Sequence, residues 1–383
     1  MGYQHIDIDF LQSSKKEVDP CGDTVWFKRT IYHTTIICAD GIRSGVRAYI
    51  ASQMNVARIG QLLDGGMSLQ EAFLSIVNSM AKWRDYSMPF TAFIVARILN
   101  DGTTTVFNYE MPAPLIVIRN HASVLKSEPI LIEAGIASSA HCRLQEGDGL
   151  VLMSDGITQS GMENAYPNGW QSQGVEKYMN QQLTRSFSMV EAARKVFDQA
   201  KINDKGTNGD DRTILYAQSR LGRVVQVLTG PPLERKKDEE FTNRFLESEG
   251  VKVVCGATTA DIVARYMFTS LKVEQNPASL STPPRYFLDG VDLVTEGAVT
   301  LNQVHNLLEE EDLDRDSDMS ASVDLTKILK SGDRISFIVG QSLNPANKDI
   351  VFRKQGILQR NKIIPMIAQK LERMGKLVSV EHV

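Results

Sequence analysis

Four acidic points in this 383-residue chain share a placement that could do chemistry. Asp40 ends the apolar run "IICADG" (36–41), and Asp155 ends "LVLMSDG" (150–156). Asp23 opens "DTVWF" (23–27), and Asp210 and Asp211 open "DDRTILY" (210–216). Each lies where a strand that reads as buried begins or stops. A carboxylate at the rim of a core is costly unless it is paired or metal-bound. Should these strand ends meet, only a cation makes the crowding tolerable. Oxygen donors without His or Cys favour a hard divalent ion, Mg²⁺ or Mn²⁺. Two such ions bridged by one carboxylate would hold a water, lower its pKa and present hydroxide to a phosphorus centre. That displacement needs no protein nucleophile, and no GxSxG, HExxH or Cys-phosphatase loop occurs here.

A lone Asp-Gly pair is usually a turn. Asp64-Gly65 reads as a helix end, Asp101-Gly102 as a hairpin, Asp148-Gly149 as the approach to a strand and Asp289-Gly290 as a loop. Asp40 and Asp155 differ because an apolar run leads straight into each of them.

The elements that must position these residues follow from periodicity. "TVWFKRTIY" and "HTTIICA" read as consecutive strands, rich in β-branched and aromatic residues. Residues 44–60 and 68–83 read as helices, the first with Val46, Ile50, Met54 and Ala57 at helical spacing. "LLDGGMS" supplies a Gly stop and a Ser cap between them. "FTAFIVARIL", "TTVFNYE", "PLIVIRN" and "SVLK" read as strands, with "LNDGTT" as a hairpin turn. Helices are expected near 170–183 and 188–201, and "NDKGTNGDD" is a polar loop before the strand "RTILYAQ". Strand runs with paired helices, rather than strict alternation, predict an α+β sandwich.

A domain boundary is expected near residue 220, giving domains 1–220 and 221–383. Beyond it "RVVQVLTG", a helix near 237–249, "VKVVCGATT" and a helix near 259–267 read as βαβ-like. "NPASLSTPPR" reads as loop and "EEEDLDRDSD" as a solvated acidic run. "DRISFIVG", a helix near 361–374 and "KLVSVEHV" complete a smaller α/β domain.

Composition narrows the classes. The net charge is −4, with 42% hydrophobic residues and no basic stripe, so a nucleic-acid surface is disfavoured. No apolar run approaches the roughly 20 residues of a membrane span. The first residues, "MGYQHIDIDF", fit neither a signal peptide nor a myristoylation pattern. Cys21, Cys38, Cys142 and Cys255 form no CxxC pair, and Cys38 and Cys255 read as small buried thiols. The expectation is a soluble cytoplasmic protein.

The ordered set "CGD", "CADGIRSGVRAYIAS", "GDGLVLMSDGI" and "GDDRTILY" resembles the PPM family of metal-dependent Ser/Thr protein phosphatases. The match is to the branch typified by stage II sporulation protein E, over about residues 15–220. The resemblance implies an αββα sandwich with two Mn²⁺ or Mg²⁺ ions in a cleft at one edge. Carried over motif by motif, Asp40 would bridge both ions and the Gly41 carbonyl would bind one. Asp155 and Asp210 would complete the second, Asp23 would act through a water, and Asp211 would support Asp210. The phosphate-binding Arg of animal relatives has no counterpart before Asp23, which leaves Arg43 as the candidate, against the plain reading of an exposed helix-start residue. "NYEMPAPLIVIRN" resembles the branch's "GxxPP" strand pair, with "PAP" as a departure. The helices at 44–60 and 68–83 correspond to a regulatory pair whose tilt would move Gly41. The implied partner is a phosphorylated signalling protein, such as an anti-sigma-factor antagonist.

Outside the resemblance, "VVCGATTADIVAR" runs a strand into a Gly-Ala-Thr-Thr turn and a helix. Gly256, Thr258 and Thr259 there are candidate contacts for an anion, against the plain reading of a Thr-capped helix. Three roles stay open for this domain: sensing a ligand, binding a partner or fixing a homodimer. Competing readings of the whole are a pseudophosphatase that recruits a partner without turnover, or a chain whose C-terminal domain carries the main function.

Overall fold

The structure, a computed structural model, describes residues 2–16, 18–82, 90–132, 135–162, 164–205, 209–273, 286–310, 320–342 and 356–383. The segment "NPASLSTPPR" and most of "EEEDLDRDSD" and "KGTN" lie outside the described residues. The chain divides into two compact units, Tyr3–Leu221 and Gly222–Val383.

The first unit stacks two antiparallel sheets. One holds β1 (Gln4–Ser13), β11 (Arg212–Leu221), β10 (Gly149–Met153), β6 (Leu115–Ile118) and β7 (His121–Val124), in that order. The other holds β2 (Asp23–Arg29), β3 (His33–Gly41), β4 (Thr91–Leu99), β5 (Thr103–Tyr109), β9 (Gly135–Arg143) and β8 (Glu128–Ile132). Side chains alternate between faces. Ile36 and Cys38 of β3, Ile94 and Ala96 of β4, Leu150 and Leu152 of β10, and Leu215 and Ala217 of β11 fill the space between the sheets. Their neighbours Ile37, Ala39, Phe93 and Val95 face outward onto α1 (Val46–Asp64) and α2 (Leu69–Lys82). Val151, Met153, Ile214 and Tyr216 face α4 (Gln171–Thr184) and α5 (Met189–Asn203). The result is a helix–sheet–sheet–helix sandwich. Both faces of the central strands are covered, which is why they read as continuous apolar runs rather than alternating ones. The short helix α3 (Asp155–Thr158) follows β10 directly.

One helix is turned differently from the expectation. Val46, Ile50, Met54 and Ala57 of α1 are all exposed. Its inner face is Ala48, Ala51, Ser52, Asn55, Val56, Ile59 and Gly60. Small residues bring this helix close to the sheet, so bulk marks the outer face here and misleads a purely hydrophobic reading. The turn between α1 and α2 is as expected, with Gly65 at the C-cap. The Ser68 hydroxyl accepts from Glu71 N–H, and the Glu71 carboxylate accepts from Ser68 N–H, a reciprocal cap.

The second unit is an open α/β sheet. β12 (Val224–Thr229), β13 (Val251–Cys255), β16 (Leu293–Thr295), β17 (Arg334–Val339) and β18 (Leu377–His382) are parallel and lie in the order β16-β13-β12-β17-β18. Two short antiparallel strands, β14 (Lys272–Val273) and β15 (Tyr286–Phe287), extend the β16 edge. α6 (Asp238–Glu247) and α7 (Ala257–Tyr266) cover one face. α8 (Ala298–Leu307), α9 (Ala321–Ser331) and α10 (Arg360–Arg373) cover the other. Among the described residues, no helix is long and apolar enough to cross a membrane.

Candidate active site

The antiparallel register of β2 and β3 sets Asp23 directly opposite Asp40. In the facing sheet, β10 runs antiparallel to β11, with Met153 opposite Ile214. Asp155 lies just past the end of β10, and Asp210 and Asp211 just before the start of β11, so all three share one sheet edge. The two edges are tied together. The Thr213 hydroxyl donates to Asp23 Oδ2 at 2.6 Å, and Gly22 N–H donates to Asp211 Oδ2 at 2.9 Å. Four sequence-remote segments thereby deliver carboxylates to one rim.

Three glycines make this approach possible. A Cβ on Gly41 would stand 2.1 Å from the Ala48 carbonyl oxygen of α1. One on Gly156 would stand 2.0 Å from the Asp211 carbonyl oxygen. One on Gly22 would meet Asp211 Oδ2 at 2.7 Å and Ala48 Cβ at 2.8 Å. Glycine follows Asp40 and Asp155 because a neighbouring backbone occupies the space a side chain would need. The Asp-Gly pairs at 40–41 and 155–156 are close-approach points. Asp101-Gly102 is a hairpin turn, with Gly102 at φ 84° and Asp101 Oδ1 accepting from Thr103 N–H, and there too a Cβ would meet backbone, the Leu144 carbonyl oxygen at 1.9 Å.

The electrostatics follow from crowding in a buried place. Asp23 is 3% exposed, and burial pushes its carboxyl up to about 7 against the Thr213 hydroxyl bond. Asp40 is pushed up to about 10, by burial first and then by Asp23 and Asp155. Burial and Asp210 raise Asp155 as well. Asp155 is among the charges that raise Asp40, so the two carboxyls feel each other across the rim. Gln159 Nε2 donates to Asp155 Oδ2 at 3.0 Å and fixes that side chain. Asp210 is half-exposed, with Lys15 Nζ 3.6 Å from its Oδ1.

Asp211 has a different place from its neighbour. It is 4% exposed, and its oxygens accept backbone N–H groups from Lys15 at 2.6 Å and from Gly22. It clasps the loop that carries Asp23. Arg43 is exposed on the turn between β3 and α1, at a left-handed φ of 78°. Such a backbone costs a non-glycine residue about 1 kcal/mol. No hydrogen bond or ion pair ties its guanidinium among the described residues, which leaves it able to meet an incoming anion.

Do these residues suit hard cations? The donors are carboxylate oxygens, with the Gly41 carbonyl beside them and neither His nor thiolate among them. Asp23 Oδ1 is buried and has no hydrogen-bond partner. An orphaned anionic oxygen beside two further carboxyls is the environment a cation relieves. The set is gathered rather than closed. Among the described residues, no three such side chains already surround one point. The donor set fits.

Sequence reasoning missed Lys15, Thr213 and Gln159. Lys15 lies in "SSKKEVD", which has no motif. Thr213 and Gln159 are ordinary residue types whose role appears only when strands pair. The two Thr residues named in the second unit also differ. Thr258 is exposed, whereas the buried Thr259 hydroxyl accepts from Gly230 N–H at 2.9 Å and braces the turn after β12.

Comparison with known proteins adds to this geometry. A sequence model described as Stage II sporulation protein E (SpoIIE) matches residues 32–220. That span takes in Asp40, Asp155, Asp210 and Asp211 and begins after Asp23. A comparison with curated proteins gives no match. The phosphatase domain of SpoIIE from Bacillus subtilis is similar at 18% identity, over 58% of this chain and 95% of that one, with a TM-score of 0.44. A longer piece of that protein, with a fragment of its regulatory domain, is similar at 17% identity over 57% and 64%, with a TM-score of 0.49. The RsbU and RsbW domains of a Mycobacterium tuberculosis protein are similar at 15% identity over 64% and 68%, with a TM-score of 0.48. Residues 32–220, just under half of this chain, thus match the Stage II sporulation protein E (SpoIIE) family.

Proposed function

We propose that the N-terminal unit hydrolyses phosphoserine or phosphothreonine in a signalling protein, of the anti-sigma-factor-antagonist kind, with two Mn²⁺ or Mg²⁺ ions held by the acidic rim. The observation that supports this reading best is the convergence of carboxylates from two sheets on one rim: Asp23 lies opposite Asp40 on one, Asp155, Asp210 and Asp211 lie at the end of the other, the Thr213–Asp23 and Gly22–Asp211 bonds tie the two together, and one Asp23 oxygen is orphaned. Asp40, Asp155, Asp210 and the Gly41 carbonyl would hold the ions directly, with Asp23 acting through a water. When bound, such ions supply Lewis-acid polarisation of the phosphoryl group and acidify a water for attack on phosphorus.

The chain's own residues prepare that place. Thr213 fixes the Asp23 carboxyl, Gln159 fixes Asp155, and Asp211 holds the 15–22 loop against the rim. Arg43 and Lys15 are the cations that would orient the three non-bridging phosphate oxygens, Arg43 from the β3–α1 turn and Lys15 from beside Asp210. No thiol competes as nucleophile. Burial pushes Cys21 and Cys255 up to about 12 and Cys142 up to about 11, and raises Cys38, so none offers a thiolate near neutrality.

Steady-state hydrolysis of an aryl phosphate and of a phosphoserine peptide tests the reading. Turnover is expected with Mn²⁺ and should vanish in excess chelator. In the same assay Arg43→Met and Lys15→Met should raise the peptide KM by about tenfold with a smaller change in kcat. Turnover that ignores the chelator would refute the metal-dependent reading. An unchanged KM in both variants would remove these cations from the phosphate site.

A further inference from the structure

The second unit carries a cleft of about 590 Å³ at the C-terminal edge of its parallel sheet. That volume suits a small organic molecule. Its walls are the turns after β12, β13, β16 and β17 and the start of α10. The parallel strands occur along the chain as β12, β13, β16, β17, β18, and their spatial order reverses between β12 and β17. In open α/β sheets ligands sit outside the carboxyl ends of the strands at such a reversal.

The chemistry of the walls is specific. The N-termini of α7, α8 and α10 all open onto the cleft, at Gly256, Gly297 and Arg360. No side chain caps any of the three, so their first N–H groups face the cleft side unsatisfied by a cap. The Arg360 guanidinium is half-buried across the end of β12. A Cβ on Gly230, at φ 77°, would fall 1.2 Å from Arg360 Nη1, so this glycine leaves room for the guanidinium. Its hydrogen bond among the described residues runs from Nη2 to the Ser342 carbonyl at 3.0 Å, which leaves further donors for an anion.

A second, independent feature points to a ligand. Asp238 lines the same cleft, is only 8% exposed, and has no hydrogen bond or ion pair among the described residues. The Asp238 side chain therefore offers the cleft an acceptor that no donor of this unit engages. Positive helix ends and a guanidinium on some walls, with an unmatched acceptor on another, fit a molecule that has an anionic end and a hydroxylated body.

We propose that this cleft binds a phosphorylated, hydroxyl-bearing small molecule of about nucleotide size, its phosphate held by Arg360 and the α7 and α8 N-termini and its hydroxyls by Asp238. The inference does not depend on the phosphatase reading of the first unit.

Isothermal titration of the full-length chain in excess EDTA tests it, since without cations the acidic rim repels anions. The probes are inorganic phosphate, ribose 5-phosphate and the four common 5′-nucleoside monophosphates. At least one organic phosphate should bind with a dissociation constant below about 1 mM and about tenfold or more tighter than inorganic phosphate. Arg360→Met should weaken it by about tenfold or more, and Asp238→Asn should weaken the organic phosphate while leaving inorganic phosphate within about twofold. Thr258→Asp, at an exposed position that needs no repacking, should abolish binding by placing a negative charge at the α7 N-terminus, and it stands in if Arg360→Met melts early. No binding by any probe up to about 10 mM would overturn the proposal. So would inorganic phosphate binding as tightly as every organic probe, or unchanged affinity in a folded Arg360→Met or Thr258→Asp protein.

Discussion

Replacing Asp40 with Asn is expected to cut phosphatase turnover by about a thousandfold or more while making the metal-free protein more stable. The activity loss corresponds to about 4 kcal/mol of transition-state stabilisation. It arises because Asp40 is the group proposed to touch both ions, and an amide is a far weaker ligand for a hard cation. The stability gain has a separate cause. Asp40 is raised by burial and by Asp23 and Asp155, so its charged form is disfavoured where it stands. A neutral Asn has no charge to bury beside Asp23 and Asp155, and relief of this kind is typically worth about 1 kcal/mol. In excess Mn²⁺ the order should reverse, since only the wild type gains the free energy of binding the ions. Thermal melts with chelator and with Mn²⁺, beside the kinetic assay, read both signs. A variant that is less stable in chelator, or retains near-wild-type turnover, would contradict the assignment.

Gly41→Ala is expected to be among the most damaging single methyls in the first unit. Its Cβ would lie 2.1 Å from the Ala48 carbonyl oxygen, 2.6 Å from the carbonyl carbon and 2.8 Å from the Ala48 Cα. All three are backbone atoms of α1 and cannot swing aside, so the strand end or the helix must move. Overpacking usually costs about 1–3 kcal/mol, and a rigid backbone neighbour puts this case near the top of that range. For a unit of this size about 3 kcal/mol lowers the melting temperature by roughly 6–12 °C. The same displacement carries the Gly41 carbonyl and Asp40 with it, so Mn²⁺ affinity should fall alongside stability. The helix that would move is tied to the rim again by the buried Thr24–Ser52 hydroxyl pair at 2.7 Å. A Gly41→Ala protein with an unchanged melt and unchanged Mn²⁺ affinity would remove the contact from the account.

The parts of this architecture legible in the sequence are those set by strong local rules. "IICADG" and "LVLMSDG" announce buried strands that stop on a carboxylate, and β3 and β10 have that form. The Ser68–Glu71 cap and the Asp101-Gly102 turn are written in a few adjacent residues. What was hidden depends on partners far along the chain. β1 pairs with β11 over ten residues, from Gln4 with Leu221 to Ser13 with Arg212, yet its own polar alternation gave no strand reading. β9 was missed because it is short of large apolar residues, with Ile136 alone among small and polar neighbours. The α1 face was misjudged because Ala48, Ala51 and Gly60 earn burial by smallness, whereas Val46, Ile50 and Met54 stand outside. In the candidate site, the acidic residues could be picked by type and spacing. The division of labour between Asp210 and Asp211 could not, because it rests on where Lys15 N–H and Gly22 N–H arrive. In the second unit the "GATT" turn was legible, but Arg360 is about a hundred residues away and joins it only through the sheet order.

The central claim is that carboxylates from remote segments jointly hold hard cations, and direct titration of the purified chain with Mn²⁺ tests it most plainly. The account predicts uptake of about two ions per chain, reduced in both Asp40→Asn and Asp155→Asn. No uptake at millimolar Mn²⁺, or the same uptake in both variants as in the wild type, would contradict it.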